Sequence, residues 1–249
     1  MLAITQFLGV LIAIPAIALR SEAVPVGADL GWSVLSGLFG VVGLACLYHG
    51  LSVGRMGVVA PVAGVLVTVI PVTAGFLLEG VPPPVAIAGI GVAIVSVFVV
   101  SRVPAEATGR SSGFWWGLAA GLTLGGFTVT VSFVADGLVF GPLAIIRATE
   151  GLACVAVILA TRQAWRIPRG QWPVIALIGT LDMSGTAAYV AATQSGPLAI
   201  AAVLSALYPV ATVILAAVVL RERVSRLNAF GVVLAGVAVA LIAGGSAAA

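Results

Sequence analysis

Nine long apolar blocks alternate with short polar connectors along this chain. Each block holds about 18–25 residues, which as a helix is long enough to cross a hydrocarbon core of roughly 30 Å. The connector 79–84 contains three consecutive prolines, which end the preceding helix. The pattern therefore predicts an all-α fold, a polytopic helical membrane protein with nine spans. The predicted spans are residues 2–19, 30–52, 57–78, 84–101, 113–134, 142–160, 172–193, 197–220 and 227–244.

Composition and charge agree with this interpretation. The 249 residues are 61% hydrophobic and 8% charged, whereas a soluble domain carries about 25% charged residues. The basic residues are all arginines, and most of them lie in short connectors. This is typical of cytoplasmic loops, and the net charge of +3 does not indicate nucleic-acid binding. The arginine-rich connectors predict a cytoplasmic N-terminus and an external C-terminus. The first block lacks the basic start of a signal peptide and is interpreted as a retained span.

Two stretches of the chain, 47–80 and 188–223, resemble each other in sequence. They are about 141 residues apart, a distance that covers an odd number of predicted spans. The two copies therefore have opposite orientations in the membrane, which is the inverted repeat found in many secondary transporters. The matching pairs are Tyr48 and Tyr189, Leu66 and Leu207, and, after a slip of two residues, Glu79 and Glu222.

The repeated pattern is a tyrosine, a short loop of small residues, a proline-bearing span, a glutamate at its end and a glycine-rich closing span. It resembles the EamA-type repeat of the drug/metabolite transporter superfamily. The resemblance implies a ten-helix exporter or permease built from two inverted five-helix halves around a cavity. It places one repeat at 1–103 and a complete one at 112–246. The first copy lacks its first helix, which leaves two alternatives open: a start codon assigned too late, or a nine-helix variant.

An acid lies inside one of the apolar blocks. Asp182 is near the centre of "GTLDMSGTAAYVAA", residues 179–192, and its counterpart in the first repeat is approximately Val41. A charged aspartate at a helix centre costs about 2.5–3.5 kcal/mol on insertion scales, so it should face a cavity or a partner. Burial favours the neutral acid, which makes Asp182 a candidate proton carrier. The alternative is a carboxyl group that only forms a hydrogen bond to a neighbouring helix.

A pair of opposite charges lies in the sixth block. Arg147 and Glu150 are three residues apart in "PLAIIRATEGLAC" and can face the same side of a helix. They are interpreted as an ion pair near the membrane boundary. Two roles remain open: a purely structural pair, or a site in which Arg147 holds an anionic group of a substrate, such as an amino-acid carboxylate.

Four further side chains are candidates for a substrate or proton path. His49 is the only histidine, and it could relay protons near neutral pH or act as an ordinary hydrogen-bonded residue. Tyr48, Tyr189 and Tyr208 could present hydroxyl groups or aromatic faces to an organic substrate. Each tyrosine could equally anchor its helix at the membrane interface.

Prolines and glycines predict the shape of several spans. Pro61 and Pro71 lie in one span, and Pro209 lies in its repeat counterpart. Each proline removes a helical hydrogen bond and allows a kink, which suits helices that move during alternating access. Glycine recurs every fourth residue across 117–125, which allows another helix to approach closely.

These observations favour a secondary transporter of small organic metabolites, amino acids or drugs, with possible proton coupling. The chain lacks the glycine-rich loop with Lys-Ser/Thr that binds nucleotide phosphates. No cofactor, metal or catalytic residue is expected. The expected partners are a small-molecule substrate and the lipid bilayer of a prokaryotic-type cell membrane, and a homodimer remains an alternative. A non-transporting scaffold is the second hypothesis. An intramembrane enzyme is the third.

Overall fold

The computed structural model describes residues 2–100, 113–162, 169–219 and 226–247. Throughout these residues the regular secondary structure is helical. A short 3₁₀ turn, Arg169–Gln171, precedes α7. The helices are α1 (Leu2–Arg20), α2 (Ala28–Val53), α3 (Met56–Leu78), α4 (Pro84–Val100), α5 (Phe114–Val131), α6 (Phe140–Thr161), α7 (Trp172–Ser195), α8 (Leu198–Ser205), α9 (Tyr208–Val219) and α10 (Arg226–Ala247).

Six of these helices are long and apolar enough to cross a membrane: α1, α2, most of α3, α5, α6 and α7. Two shorter apolar helical stretches, Pro84–Val99 and Ala229–Ile242, lie in α4 and α10. The predicted fold class, a polytopic helical membrane protein, is confirmed. Eight of the nine predicted blocks each correspond to one observed helix, with differences of a few residues at their ends.

The eighth predicted span differs from the structure. The sequence predicted one continuous span over 197–220, whereas the described residues form two helices, α8 and α9, separated at Ala206 and Leu207. Pro209 is the second residue of α9. Because proline has no N–H to donate to the carbonyl of Ser205, the helix cannot continue through this position with its normal bonding. Glu222, the predicted counterpart of Glu79, lies outside the described residues.

Two compact units contain the described helices. Unit 1 is formed by residues 1–42 and 127–195, and it contains α1, α6 and α7 with the first part of α2 and the end of α5. Within it, α1 packs along α6 and also contacts α7. Unit 2 is formed by residues 43–126 and 196–249, with α3, α4, α8, α9 and α10 and the remaining parts of α2 and α5.

The core of unit 2 is apolar. Helix α4 packs along α10, and α3 packs against α8. The buried side chains that meet between these four helices are Val72, Ile90, Ala93, Ala199, Val203, Ala238 and Ile242. The predicted close approach at 117–125 is also in this unit, because a Cβ atom on Gly121 would be only 2.6 Å from the Cβ of Leu66 in α3. Side chains larger than hydrogen would therefore push α5 away from α3.

The N-terminus of α6 is capped by a residue that lies far away in sequence. The carboxylate of Glu22, in the α1–α2 connector, accepts hydrogen bonds from three backbone N–H groups that open the helix. Such N–H groups have no partner within a helix, and a negative charge there also interacts favourably with the helix dipole. The donors are Val139 at 2.8 Å, Phe140 at 3.1 Å and Gly141 at 2.7 Å.

The loop before α6 is held by two further side chains of unit 1. The carboxylate of Asp29 accepts a hydrogen bond from Ala135 N at 2.9 Å. The amide of Gln194, near the end of α7, accepts one from Gly137 N at 3.2 Å and donates one to Leu138 O at 2.9 Å. The start of α6 is therefore fixed to the α1–α2 connector, to the first turn of α2 and to the end of α7.

We predict that Glu22→Ala lowers the free energy of unfolding by about 1–2 kcal/mol, since losing a helix cap has this effect. Glu22→Gln should cost less, because its amide oxygen still accepts a hydrogen bond. The measurement is thermal unfolding of the purified protein in detergent. Asp136→Ala, an exposed residue of the neighbouring loop, is the control and should unfold as the parent does. Equal unfolding temperatures for Glu22→Ala and the control would contradict the capping role.

Candidate functional site

A charged side chain lies inside unit 1. Arg147 is the eighth residue of α6, about 10 Å along the helix axis from its first residue. Only 5% of its surface is exposed. A buried cation in an apolar helix needs anionic and hydrogen-bonding partners, since the desolvation penalty is several kcal/mol per ion. The structure supplies such partners from three helices.

The two terminal nitrogens of Arg147 have different partners. Nη1 donates to Gln6 Oε1 on α1 at 2.9 Å and to Glu150 Oε2 on α6 at 3.0 Å. Nη2 donates to the hydroxyl of Thr186 at 2.7 Å and lies 2.8 Å from Asp182 Oδ2, both on α7. The guanidinium therefore connects α1, α6 and α7. These five residues are called the Arg147 cluster below.

Helical spacing explains how the partners reach one guanidinium. Glu150 is three residues after Arg147 on α6, and Thr186 is four residues after Asp182 on α7, so each pair shares a helix face. Thr186 also donates its hydroxyl proton to the backbone carbonyl of Asp182 at 2.9 Å, which fixes the hydroxyl as an acceptor for Arg147. The cluster is thus built from one face of each of α6 and α7, with Gln6 added from α1.

The two carboxylates differ in exposure. Glu150 is 3% exposed and is held by Arg147 of its own helix. The side chain of Asp182 is 48% exposed and forms its ion pair across helices. When both carboxylates are ionised, the single guanidinium leaves the cluster with a formal charge of −1. Addition of one proton makes it neutral, and Asp182 is the more accessible carboxylate.

Glycines allow the helices of unit 1 to approach the cluster. A Cβ atom on Gly9 would lie 3.1 Å from Arg147 Cγ, so α1 packs its bare backbone against the stem of the arginine. A Cβ atom on Gly179 would lie 2.9 Å from Leu8 Cδ2, between α7 and α1.

Nε of Arg147 is buried and has no hydrogen-bond partner in the part of the chain that the structure describes. The charge of the guanidinium is therefore balanced by the groups that contact Nη1 and Nη2.

Comparison with known proteins now identifies the chain. Residues 111–244 match the EamA-like transporter family. The chain belongs to this family. Its fold is similar to that of a solved crystal structure, with a TM-score of 0.72 at 21% sequence identity, over 99% of this chain and 84% of that one. At this identity the similarity shows the fold alone. No curated protein matches the chain.

In this EamA-family chain, the three charged candidates from the sequence, Asp182, Arg147 and Glu150, come together in one cluster. Tyr189, the fourth candidate in unit 1, is not part of the cluster. It is 7% exposed, and its hydroxyl donates to the backbone carbonyl of Thr128 at 3.0 Å. Tyr189 therefore has a helix-packing contact of its own, between α7 and the end of α5.

The other three candidates belong to unit 2. Tyr48 is 58% exposed and Tyr208 is 62% exposed. His49 packs its ring against Trp116, with the ring centroids 4.4 Å apart and the planes at 62°. The roles of these three side chains in a substrate or proton path remain predictions.

Two members of the Arg147 cluster were missed by sequence reasoning, Gln6 and Thr186. Gln6 is an uncharged polar residue inside the first apolar block, where a side chain that can form several hydrogen bonds needs partners. Thr186 lies four residues after Asp182, a spacing that places both side chains on one face of the helix. Both signals were present in the sequence, but neither shows which helix supplies the partner.

We predict that Arg147→Met destabilises the protein by about 3–5 kcal/mol, because it leaves the buried carboxylate of Glu150 without its cation. The double variant Arg147→Met/Glu150→Met should be more stable than Arg147→Met alone, since it removes the unpaired charge. Thermal unfolding in detergent measures both effects. Arg162→Met, at the exposed end of the same helix, is the control. A double variant no more stable than the single one would show that the ion pair is not what the arginine stabilises.

Proposed function

We propose that this chain is a secondary transporter of small organic metabolites, amino acids or drugs, driven by protons that bind at the Arg147 cluster. We assign the protein a transport role and no catalytic one, in keeping with its family. We also place it in a prokaryotic-type cell membrane, with inverted repeats at 1–103 and 112–246 and alternating access between the two sides. The observation that carries the proposal is one guanidinium shared by a buried and a half-exposed carboxylate.

The charge of the cluster supports proton binding. In a low-dielectric environment a net charge of −1 is costly, and one proton removes it. Glu150 is enclosed and bonded to Arg147, whereas almost half of the Asp182 side chain is exposed. We therefore assign the exchangeable proton to Asp182 and treat Glu150 as the fixed counter-ion that keeps Arg147 charged.

Proton binding would also change the contacts between helices. The ion pair between Arg147 and Asp182 is the charged link between α6 and α7. When Asp182 is neutral, this link loses its charge, and the Arg147–Thr186 hydrogen bond remains. The protonated state thus holds α7 less strongly on α6. A proton-dependent difference of this kind is what shifts the population of two conformations.

The same contact connects protons with an anionic substrate. The hydrogen-bonding capacity of Nη1 and Nη2 is directed to Gln6, Glu150, Thr186 and Asp182. A substrate carboxylate that binds Arg147 would therefore have to replace the carboxylate of Asp182. Protonation of Asp182 makes the replacement easier, because it removes a competing negative charge. On this scheme a proton and an amino-acid-like carboxylate are bound together.

We predict that Asp182→Asn abolishes the dependence of flux on the pH gradient. The assay uses the full chain reconstituted in vesicles that enclose a pH-sensitive dye, with a panel of amino acids, other organic acids and organic amines on the outside. The parent should show proton flux that depends on at least one solute. Asp182→Asn should lose this coupling, since an amide does not exchange a proton.

Asp136→Asn is the matched control, because it makes the same change at an exposed loop position in the same unit. It should retain the parental response to the gradient. Unchanged gradient dependence in Asp182→Asn would remove Asp182 as the proton carrier. Solute flux that ignores the pH gradient in the parent itself would overturn proton coupling while leaving transport.

A further inference from the structure

A residue of α2 lies directly against the buried carboxylate of the Arg147 cluster. A Cβ atom on Gly40 would overlap Oε1 of Glu150 and lie 3.3 Å from its Cδ. Position 40 therefore has room for hydrogen but not for a methyl group. A Cα hydrogen directed at a carboxylate oxygen is also a weakly favourable contact. The other carboxylate oxygen, Oε2, accepts the hydrogen bond from Arg147.

Gly37 gives a comparison within the same helix pair. It lies almost one turn before Gly40 on α2 and also packs against α6. A Cβ atom there would lie 2.8 Å from Thr149 Cβ and 2.9 Å from the carbonyl oxygen of Ile146. Both glycines thus allow α2 to approach α6. Of these two glycines of α2, Gly40 is the one whose close contact is with a charged group of the cluster.

We propose that Gly40 is a positioning residue for the proton site. By having no side chain, it leaves the space that Glu150 Oε1 occupies, and this keeps Oε2 on Nη1 of Arg147. With Nη1 engaged by Glu150, Nη2 is directed to α7, where it meets Asp182. The inference rests on the proposed function, since it assigns Gly40 a role in the proton site named there.

The surroundings of Glu150 determine what a methyl group at position 40 would do. The ionisable groups around it are Arg147 and Cys154 on its own helix and Asp182 on α7. Helices α1 and α2 contribute the neutral Gln6 and Gly40. In Gly40→Ala the carboxylate must move away from α2. It then loses its contact with the only cation of the cluster, and its proton affinity rises.

The experiment is an infrared pH titration of the full chain in lipid nanodiscs, which follows the carbonyl stretch of protonated carboxyl groups. Glu150→Gln and Asp182→Asn assign the bands in the parent. In Gly40→Ala, the band assigned to Glu150 should titrate at a pH at least about one unit higher than in the parent, a shift expected when a carboxylate loses a close cation. Gly37→Ala should titrate as the parent does.

The outcomes separate the two proposals. A shift in Gly40→Ala alone supports the positioning role. Equal titrations in Gly40→Ala and the parent, or equal shifts in both alanine variants, overturn it. If no band in the parent disappears in Glu150→Gln or Asp182→Asn at any pH tested, the proton site itself is wrong, and the positioning role is overturned with it.

A double-mutant cycle tests the same contact through stability. Glu150→Ala leaves Arg147 paired with Asp182, and it removes the group that a methyl at position 40 would meet. Gly40→Ala should therefore lower the unfolding temperature in the parent and have little effect in the Glu150→Ala background. Gly37→Ala should have the same effect in both backgrounds. An equal effect of Gly40→Ala in both backgrounds would contradict the proposal even if the variant folds poorly.

Discussion

The ion pairs of Arg147 are the constraint on which the arrangement of unit 1 depends. A guanidinium that is 5% exposed in apolar helices is stable only when its charge is matched and its N–H groups are bonded. The matching groups come from α6, α7 and α1, so these helices must meet at one depth and with fixed faces. Gly9, Gly40 and Gly179 lie where the backbones have to come close. The small residues therefore allow the close helix packing that brings the buried charged groups together.

The same guanidinium has one ion pair within its own helix and another between two helices. Glu150 is on the helix of Arg147 and is enclosed, and Glu22 fixes the N-terminus of that helix through three backbone N–H groups. Asp182 reaches Arg147 from a different helix and keeps about half of its side chain exposed. A change of charge on Asp182 therefore acts on a contact between helices, whereas Glu150 and Glu22 keep α6 in place.

The helices could be predicted from the sequence, but the cluster could not. Long apolar blocks identify spans because only a helix satisfies its backbone in lipid. Which faces of those spans meet depends on packing that one sequence does not encode as a simple period, and for this reason Gln6 and Thr186 were missed. The different effects of Pro71 and Pro209 on their helices could not be predicted from the sequence either. Helix α3 continues through Pro71, which is fully buried, whereas the predicted eighth span divides just before Pro209, where Leu204 and Tyr208 are exposed.

The predicted repeat gives Asp182 a counterpart position on another helix. Its approximate counterpart, Val41, follows Gly40 on α2, and Gly40 lies against Glu150. In the predicted repeat α2 and α7 are counterparts, and both contribute to the surroundings of the ion pair on α6. One contributes an acid and the other contributes a bare backbone. The two positions that the prediction pairs therefore differ in chemistry. Under the proposed function, the Arg147 cluster is a coupling site at which the binding of one proton weakens the contact of one helix, α7, with α6.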